Sequence, residues 1–486
     1  MNQSRPAALF FYLAAWLFFF PLACGGQTQD QSAEQPPTEV APAPAGVRET
    51  GLEIPDDVRP APPDTEYALL QATAAAPRVV RVLSELGEER LVMRPTGVLA
   101  VAPRSQTAAT GEPFKAASQE EIIATLAEDG LGDYKIVRAG YYLFAYDCSE
   151  AYYLHTRSIL ESMLRGVVRQ LAEWGLEPKR PEVPLVVVIT PSRTAFDAIE
   201  KMPAGVAAYY NGISNRVILY EDERLFEAAP EYALKQGSYV VAHEAIHQLL
   251  ANTGIQRRLS AWPAWVSEGV PEYFCPLKVN SSLSKRGKDE LPVRTVKWSE
   301  AGMVNDIRMH DLLRTPGQRG EVIRQVVSAP GLTAHGYSVA WGLVHYLAER
   351  RPDQFAAYLK DVRQKRPLEK PVGGDSHAPD PLFVKHFGDD FASIEQAVQK
   401  HLTGRRMQKA YSDPFVNQTH YVVSVTFKQG RVFYTKAGVI LSPAAAREWK
   451  DKWRKSLKSQ GISAHFVIKE CRTAKEAAFH LRKIAS

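Results

Sequence analysis

The sequence predicts an α+β protein, with a mixed strand–helix body followed by a small, basic α+β module. Three observations carry this. Short β-branched runs such as Leu185–Thr190 alternate with long amphipathic patterns at 149–174 and 337–350, the periods of strands and helices respectively. Residues 25–64 hold eight prolines in forty positions with few large apolar residues, a composition that cannot build a core and marks where the body begins. Residues 415–486 carry 14 Lys/Arg against 4 Asp/Glu, a local +10 in a chain of net +5. The C-terminal unit is therefore a separate electrostatic object.

Taken in order, 1–24 reads as an export signal and 25–65 as a Pro-rich extended tether. An N-terminal α/β region, 66–138, has strand-like runs at 78–83, 91–93 and 98–102 and a short helix at 119–127; nothing in it suggests a function. The main domain, 139–402, opens with a strand at 141–146 and a long helix at 149–174, stopped by Gly175. Strands follow at 185–190 and 215–221, then an apolar helix containing His243 and His247. Residues 276–333 read as polar and irregular, with 281–287 as loop. A helix at 337–350 places Ala340, Leu343, Val344 and Leu347 on one face. Residues 364–380 are rich in Pro and Gly, and 391–402 closes the domain as a helix. The basic module, 403–486, reads strand (420–427), strand (431–436), helix, strand (465–469), helix. Ser442, Pro443 and Gly461 punctuate its first helix, and Thr473 with Glu476 forms a capping-box pattern for the second.

At 486 residues, with 45% hydrophobic and 23% charged residues, the chain has the material for two or three ordinary globular domains. Beyond Cys24 only Cys148, Cys275 and Cys471 remain, widely spaced. Neither a disulfide framework nor a cysteine metal site follows, and they read as buried or partly exposed thiols. After residue 22 no stretch is long and apolar enough to cross a bilayer.

The chemistry is concentrated in two segments. Positions 243–247 read His-Glu-Ala-Ile-His, and twenty-one residues later Glu268 opens Glu-Gly-Val-Pro-Glu-Tyr-Phe. On a helix, His243 and His247 stand one turn apart on one face, so both imidazoles reach one metal ion. Glu244 sits beside them as a candidate general base towards water, and Glu268 supplies a third ligand that leaves one coordination position open. Both segments are apolar: Val240, Val241, Ile246, Leu249 and Leu250 flank the first, Trp262, Trp265, Val266, Val270 and Phe274 the second. Burying two His and a Glu there is costly unless they share a partner, and a zinc ion is the simplest one. The sequence thus predicts zinc-assisted hydrolysis of a peptide bond. Metzincins are excluded, because Leu250 and Thr253 stand where their longer motif needs Gly and a third His. Glu272 reads either as an outer partner of a ligand histidine or as an unremarkable Glu. Pro271 predicts a kink or an end to the Glu268 helix. His345 reads as a core histidine.

His243-Glu-Ala-Ile-His247-Gln-Leu followed by Trp265-Val-Ser-Glu268-Gly-Val-Pro-Glu-Tyr273 resembles the gluzincin metallopeptidases. Within them it is most similar to a bacterial secreted, peptidase-like family catalogued as a domain of unknown function. The resemblance covers roughly 140–350 and is strongest at 239–275. It implies a zincin-like fold, zinc ligands His243, His247 and Glu268, and Glu244 as general base and proton shuttle. It also implies an oxyanion-stabilising Tyr, whose counterpart is Tyr337, with His335 as the alternative donor. Gluzincin aminopeptidases carry an acid before their edge strand that holds the substrate amine. The matching segment, Gly205-Val-Ala-Ala-Tyr-Tyr-Asn211, has none, which favours an endopeptidase. The extended segment 216–220 is then the expected edge strand for a peptide substrate.

Arg5, the apolar run from Ala7 to Leu22 and Ala23-Cys24-Gly25 resemble a bacterial lipoprotein signal, with Cys24 the lipidated residue. A plain signal peptide cut near Ala23 and an uncleaved anchor fit the same residues. All three predict export to the cell envelope, with membrane attachment only through this N-terminus. The basic module reads as a solvated face or as a dock for an anionic envelope surface; no nucleic-acid-binding motif is present. Against the peptidase stands a second expectation, an inactive zincin-fold envelope protein for binding or assembly. Hydrolysis of a non-peptide amide such as a cell-wall cross-link is a third.

Overall fold

The computed structural model describes residues 58–485 apart from 72–76, 204, 223–229, 283–292, 315–320, 370–377, 415–418, 430–431, 441–442 and 472. The export signal and most of the tether lie outside the described residues.

Residues 67–109 form a five-stranded antiparallel sheet, β1 (Tyr67–Leu70), β2 (Arg78–Leu86), β3 (Glu89–Met93), β4 (Leu99–Pro103) and β5 (Thr107–Ala109), in the order β4-β3-β2-β1-β5. The tether expected to reach residue 65 is docked before that. Ala61 exchanges backbone hydrogen bonds with Glu85, and Asp64 accepts from Arg90 at 2.6 Å and also pairs with Arg104. The Asp64 carboxylate has cations to meet, so the chain stops being a free linker there.

The next elements are α1 (Gln119–Leu126), β6 (Lys135–Ala139), β7 (Tyr142–Tyr146), α2 (Glu150–Glu173), β8 (Leu185–Thr190), α3 (Arg193–Ile199), β9 (Ala208–Asn211) and β10 (Arg216–Tyr220). A second sheet runs β6-β7-β8-β10-β9, parallel across β7, β8 and β10 and antiparallel at both edges. The segment 216–220 is therefore not the edge strand: β10 lies between β8 and β9, and β9 is the edge. The physical reason is legible afterwards, since Val217 and Leu219 fill one core and Ile218 the other. A strand apolar on both faces belongs inside a sheet.

Beneath this sheet lie α4 (Pro230–Asn252) and α5 (Ala264–Phe274), then a hairpin, β11 (Lys278–Ser282) with β12 (Val293–Lys297). Then come α6 (Asp306–Arg314), α7 (Val322–Ser328), α8 (Ala334–Arg350), α9 (Pro352–Val362), α10 (Pro381–Phe387), α11 (Phe391–Leu402) and α12 (Arg405–Ala410). Two expectations are corrected here. The described residues of 276–333 are not irregular: they hold the hairpin and two helices whose polar faces hid their period. Of the loop expected at 281–287, Ser281 and Ser282 are strand and the remainder lies outside the described residues. Pro271 neither ends nor breaks α5. Its ring removes one helical hydrogen bond, but Trp265, Val266, Val270 and Phe274, each 0–1% exposed, hold the helix in the core. Gly269 lets α5 lie directly on α8: a Cβ there would stand 2.8 Å from the Ala340 carbonyl oxygen.

The module comprises β13 (His420–Gln429), β14 (Val432–Ile440), α13 (Pro443–Ser459), β15 (Ala464–Cys471) and α14 (Ala474–Ala485), with the sheet ordered β14-β13-β15. Thr473 Oγ1 accepts from the Glu476 backbone N–H at 3.1 Å, capping α14 as expected. Cys148, Cys275 and Cys471 are free thiols, the last two buried.

A buried histidine pair joins α8 to α11. His345 Nδ1 lies 2.9 Å from His401 Nε2, His345 Nε2 reaches the Gly302 carbonyl, and Arg350 Nε donates to His401 Nδ1. Two neutral rings satisfy this chain of bonds, and an added proton has nowhere to go. Burial, with His345 and Arg350 beside it, pushes His401 down to about 4. The unfolded chain takes up that proton near the ordinary 6.5. The pair's contribution is thus complete above about 6.5 and lost as pH falls from there to about 4. Thermal melts should show this decline in wild type and a shallower one in His401→Gln.

Candidate metal centre

Helix α4 is apolar around most of its circumference. Val240, Val241, Ala245, Ile246, Leu249 and Leu250 are all at most 5% exposed, as in a helix at the centre of a fold. Its polar residues are consequently buried too: His243 is 3% exposed, Glu244 0% and His247 2%. Glu268, on α5, is 4% exposed. The two helices bring three tips together. Glu268 Oε2 lies 3.2 Å from His243 Nε2 and 3.5 Å from His247 Nε2, and the two imidazole nitrogens are 3.1 Å apart. These are the three residues singled out as ligands in the sequence.

Three carboxylates, Glu244, Glu268 and Glu272, share this buried region with one guanidinium, Arg308. Arg308 Nη2 and Nε donate to the two Glu272 oxygens at 2.7 and 3.0 Å, and Asn305 Nδ2 adds a bond at 2.8 Å. Glu272 Oε1 also lies 3.2 Å from His243 Nδ1. Glu272 is thus already satisfied and supports the far side of His243, which decides between its two readings. In a second grouping, His243 with Glu272 and Cys275, the Glu272 carboxylate is already taken up by Arg308 and Asn305. With Glu272 matched by Arg308, Glu268 is left to the imidazoles and Glu244 to its own proton, not to a fixed cation, among the described residues. A divalent cation held by His243, His247 and Glu268 would balance both carboxylates.

The protonation of the site expresses the same imbalance. Burial pushes Glu244 up to about 8. Burial works the same way on Glu268, but His247 and His243 outweigh it and hold the carboxyl down at about 2. Glu272 is held well below the carboxylate range because Arg308 and His243 override burial. For His243 burial is overcome by its hydrogen bonds with Cys275, Glu268 and Glu272, which raise it. His247 is lowered, by burial first.

Glu244 has two different oxygens. Oε2 accepts a 2.8 Å hydrogen bond from the Tyr210 backbone N–H, on the outward edge of β9. Oε1 is buried without a partner among the described residues. The turn after β9 is fastened in its place by Arg258, which donates to the carbonyls of Gly212, Ile213 and Gly97, the last from the N-terminal sheet. Tyr337, in the first turn of α8 after the Thr333 cap, lies with its ring 6.3 Å from that of His243. Arg308 stacks over the same tyrosine at 5.2 Å. Burial holds the Tyr337 phenol well above 10, so it carries its proton. His335 is directed elsewhere, to Asp311 at 2.8 Å.

Residues 239–369 match the family model described as a protein of unknown function, DUF1570. No curated protein matches the chain. The matched stretch starts in α4 and ends beyond α9, so it contains the three converging residues, Glu244, Arg308 and Tyr337. The N-terminal sheet and the basic module lie outside it.

Arg308, Asn305 and the Tyr210 N–H did not emerge from the sequence. The available signal was slight, a cation set between Ile307 and Met309 in a polar helix. Its importance is testable. Arg308→Met leaves Glu272 buried without its cation, which costs roughly 3–5 kcal/mol when one partner of a buried pair is removed. Metal affinity should fall about 10–100-fold through the loosened His243. Metal titration and melting of the variant read the two effects separately.

Proposed function

We propose that this chain is an exported zinc-dependent peptidase of gluzincin type, an endopeptidase rather than an aminopeptidase. One observation carries the reading: two imidazoles and a carboxylate converge within 3.5 Å beside a glutamate with an unpartnered oxygen. His243, His247 and Glu268 would hold the ion, a donor set that suits zinc and leaves a position open. When bound, zinc supplies Lewis-acid polarisation of a carbonyl and of water.

The chain's own residues supply the rest. The Tyr210 N–H fixes one Glu244 oxygen and leaves the other free to act as base. Glu244 takes a proton from the attacking water as its oxygen bonds to the carbonyl carbon. It then gives that proton to the nitrogen as the C–N bond breaks. Tyr337, protonated and packed against His243, is placed to donate to the developing oxyanion. Glu272 and Arg308 keep His243 in one orientation. The preference for internal bonds rests on β9, whose residues include no acid to hold a substrate amine. Glu200 approaches Tyr209 and Asn211, but Tyr209 packs on the face of the sheet opposite Tyr210. Export rests on the N-terminal apolar run and is part of the proposal.

The competing reading, a metal-binding scaffold without catalysis, draws on the near-complete burial of all four side chains. Zinc content of the purified chain and cleavage of a quenched peptide library separate the two. One zinc per chain with cleavage supports the peptidase; zinc without cleavage of any peptide supports the scaffold; no zinc after reconstitution overturns both.

A further inference from the structure

We infer that the basic module docks on an anionic lipid surface through the end of the β13–β14 hairpin. The inference stands apart from hydrolysis and rests on residues outside the metal centre. Among the described residues nine large apolar side chains are exposed, and five of them belong to this module of about seventy residues. Phe433 is 70% exposed and Tyr434 43%. Being consecutive in a strand, they point to opposite faces, so the hairpin end is apolar on both sides.

Each aromatic is backed by a neighbour that keeps it outside the core. Tyr434 pairs across the strands with Phe427, the rings stacked at 5.6 Å, and Phe427 meets Trp453 of α13 at 6.2 Å. Phe433 pairs with Lys428, whose Nζ lies 5.5 Å from the ring centre. Arg454, one residue on from Trp453, stands over Phe466 at 5.8 Å. Rings with apolar bodies beside long cationic side chains match a bilayer interface, where rings sit at headgroup level and ammonium groups reach the phosphates. Helix α13 adds six basic residues against Glu448 and Asp451 within a segment of net +10. Charge therefore selects anionic headgroups.

The test is hydrogen exchange of the full chain with vesicles, because it reports on the hairpin even when the N-terminus is also attached. Vesicles of phosphatidylglycerol with phosphatidylcholine should slow exchange at Phe427, Lys428, Phe433 and Tyr434, and phosphatidylcholine alone should not. High salt should reverse the protection. Replacing Lys428 or Arg454 by Gln should raise the lipid concentration for half-protection roughly fivefold for each cation removed. Phe433→Ser, at the most exposed position, should abolish protection at the hairpin with exchange in β15 and α14 unchanged, showing that the module stays folded. The inference is overturned by no protection on anionic vesicles, or by equal protection on neutral ones. Equal protection by soluble heparin that survives Phe433→Ser also overturns it, as the mark of a simple polyanion site.

Discussion

Glu244→Gln is expected to retain one metal ion per chain and to lower kcat/KM for peptide hydrolysis by roughly 10²–10⁴-fold, the range that positioned acid–base groups supply. The geometry makes this variant unusually clean. Glutamine has the same shape, and its carbonyl oxygen can accept the 2.8 Å hydrogen bond now given by the Tyr210 N–H to Oε2. The edge strand and α4 should stay where they are. None of the three converging side chains is altered, so the ion is held as before. What disappears is the second carboxylate oxygen, buried and without a partner among the described residues, which is free to take a proton and return it. The expected signature is a loss in kcat with little change in KM, because the substitution alters neither the edge strand β9 nor the three converging side chains. Metal content by mass spectrometry and rates on one cleaved peptide decide the matter. Unchanged hydrolysis would remove Glu244 from the mechanism, and lost metal would make it a ligand.

The convergence of the three candidate ligands was more legible in the sequence than the frame around it, for a physical reason. His243, His247 and Glu268 are polar residues in apolar segments, so their burial called for a shared partner. The same logic fails for Arg308, because it lies in a polar helix where one more cation raises no question; its role appears only when Glu272 is seen against it. Strands 185–190 and 216–220 were visible as apolar runs, but the place of β10 inside the sheet was not. Which strand forms the edge is fixed by pairing with β8 and β9, and periodicity does not report pairing. The short elements α3 and β9 and the hairpin β11–β12 were missed because each is stabilised by what it packs on rather than by its own pattern. Helices 119–127 and 391–402 stood out through their periodicity, and 391–402 was placed to the residue.

Glu268→Gln should abolish the rise in melting temperature that wild type shows on adding zinc, and should reduce metal affinity by more than about 100-fold, the upper effect of losing an outer partner. The size of its effect in the metal-free chain, set against that in zinc, is the more telling part. A ligand that stabilises only through the ion adds RT ln(1 + [L]/Kd), about 2.7 kcal/mol at a hundredfold excess over Kd, and adds nothing without it. In metal-free wild type burial pushes Glu244 up to about 8, so it carries its proton at neutral pH, while His247 and His243 offset the charge of Glu268. Gln keeps the volume and an oxygen that can still accept from His243, so the metal-free variant should lose only the charged part of that contact, less than it loses in zinc. A carboxylate whose only role was to tie α5 to α4 through the histidines would show the same deficit with or without metal. Melting temperatures of both chains, each with chelator and with zinc, give four values. A deficit that is clearly larger in zinc than in chelator identifies Glu268 as a ligand. An equal deficit under both conditions identifies it as a strut, and the peptidase reading would then lose its third donor.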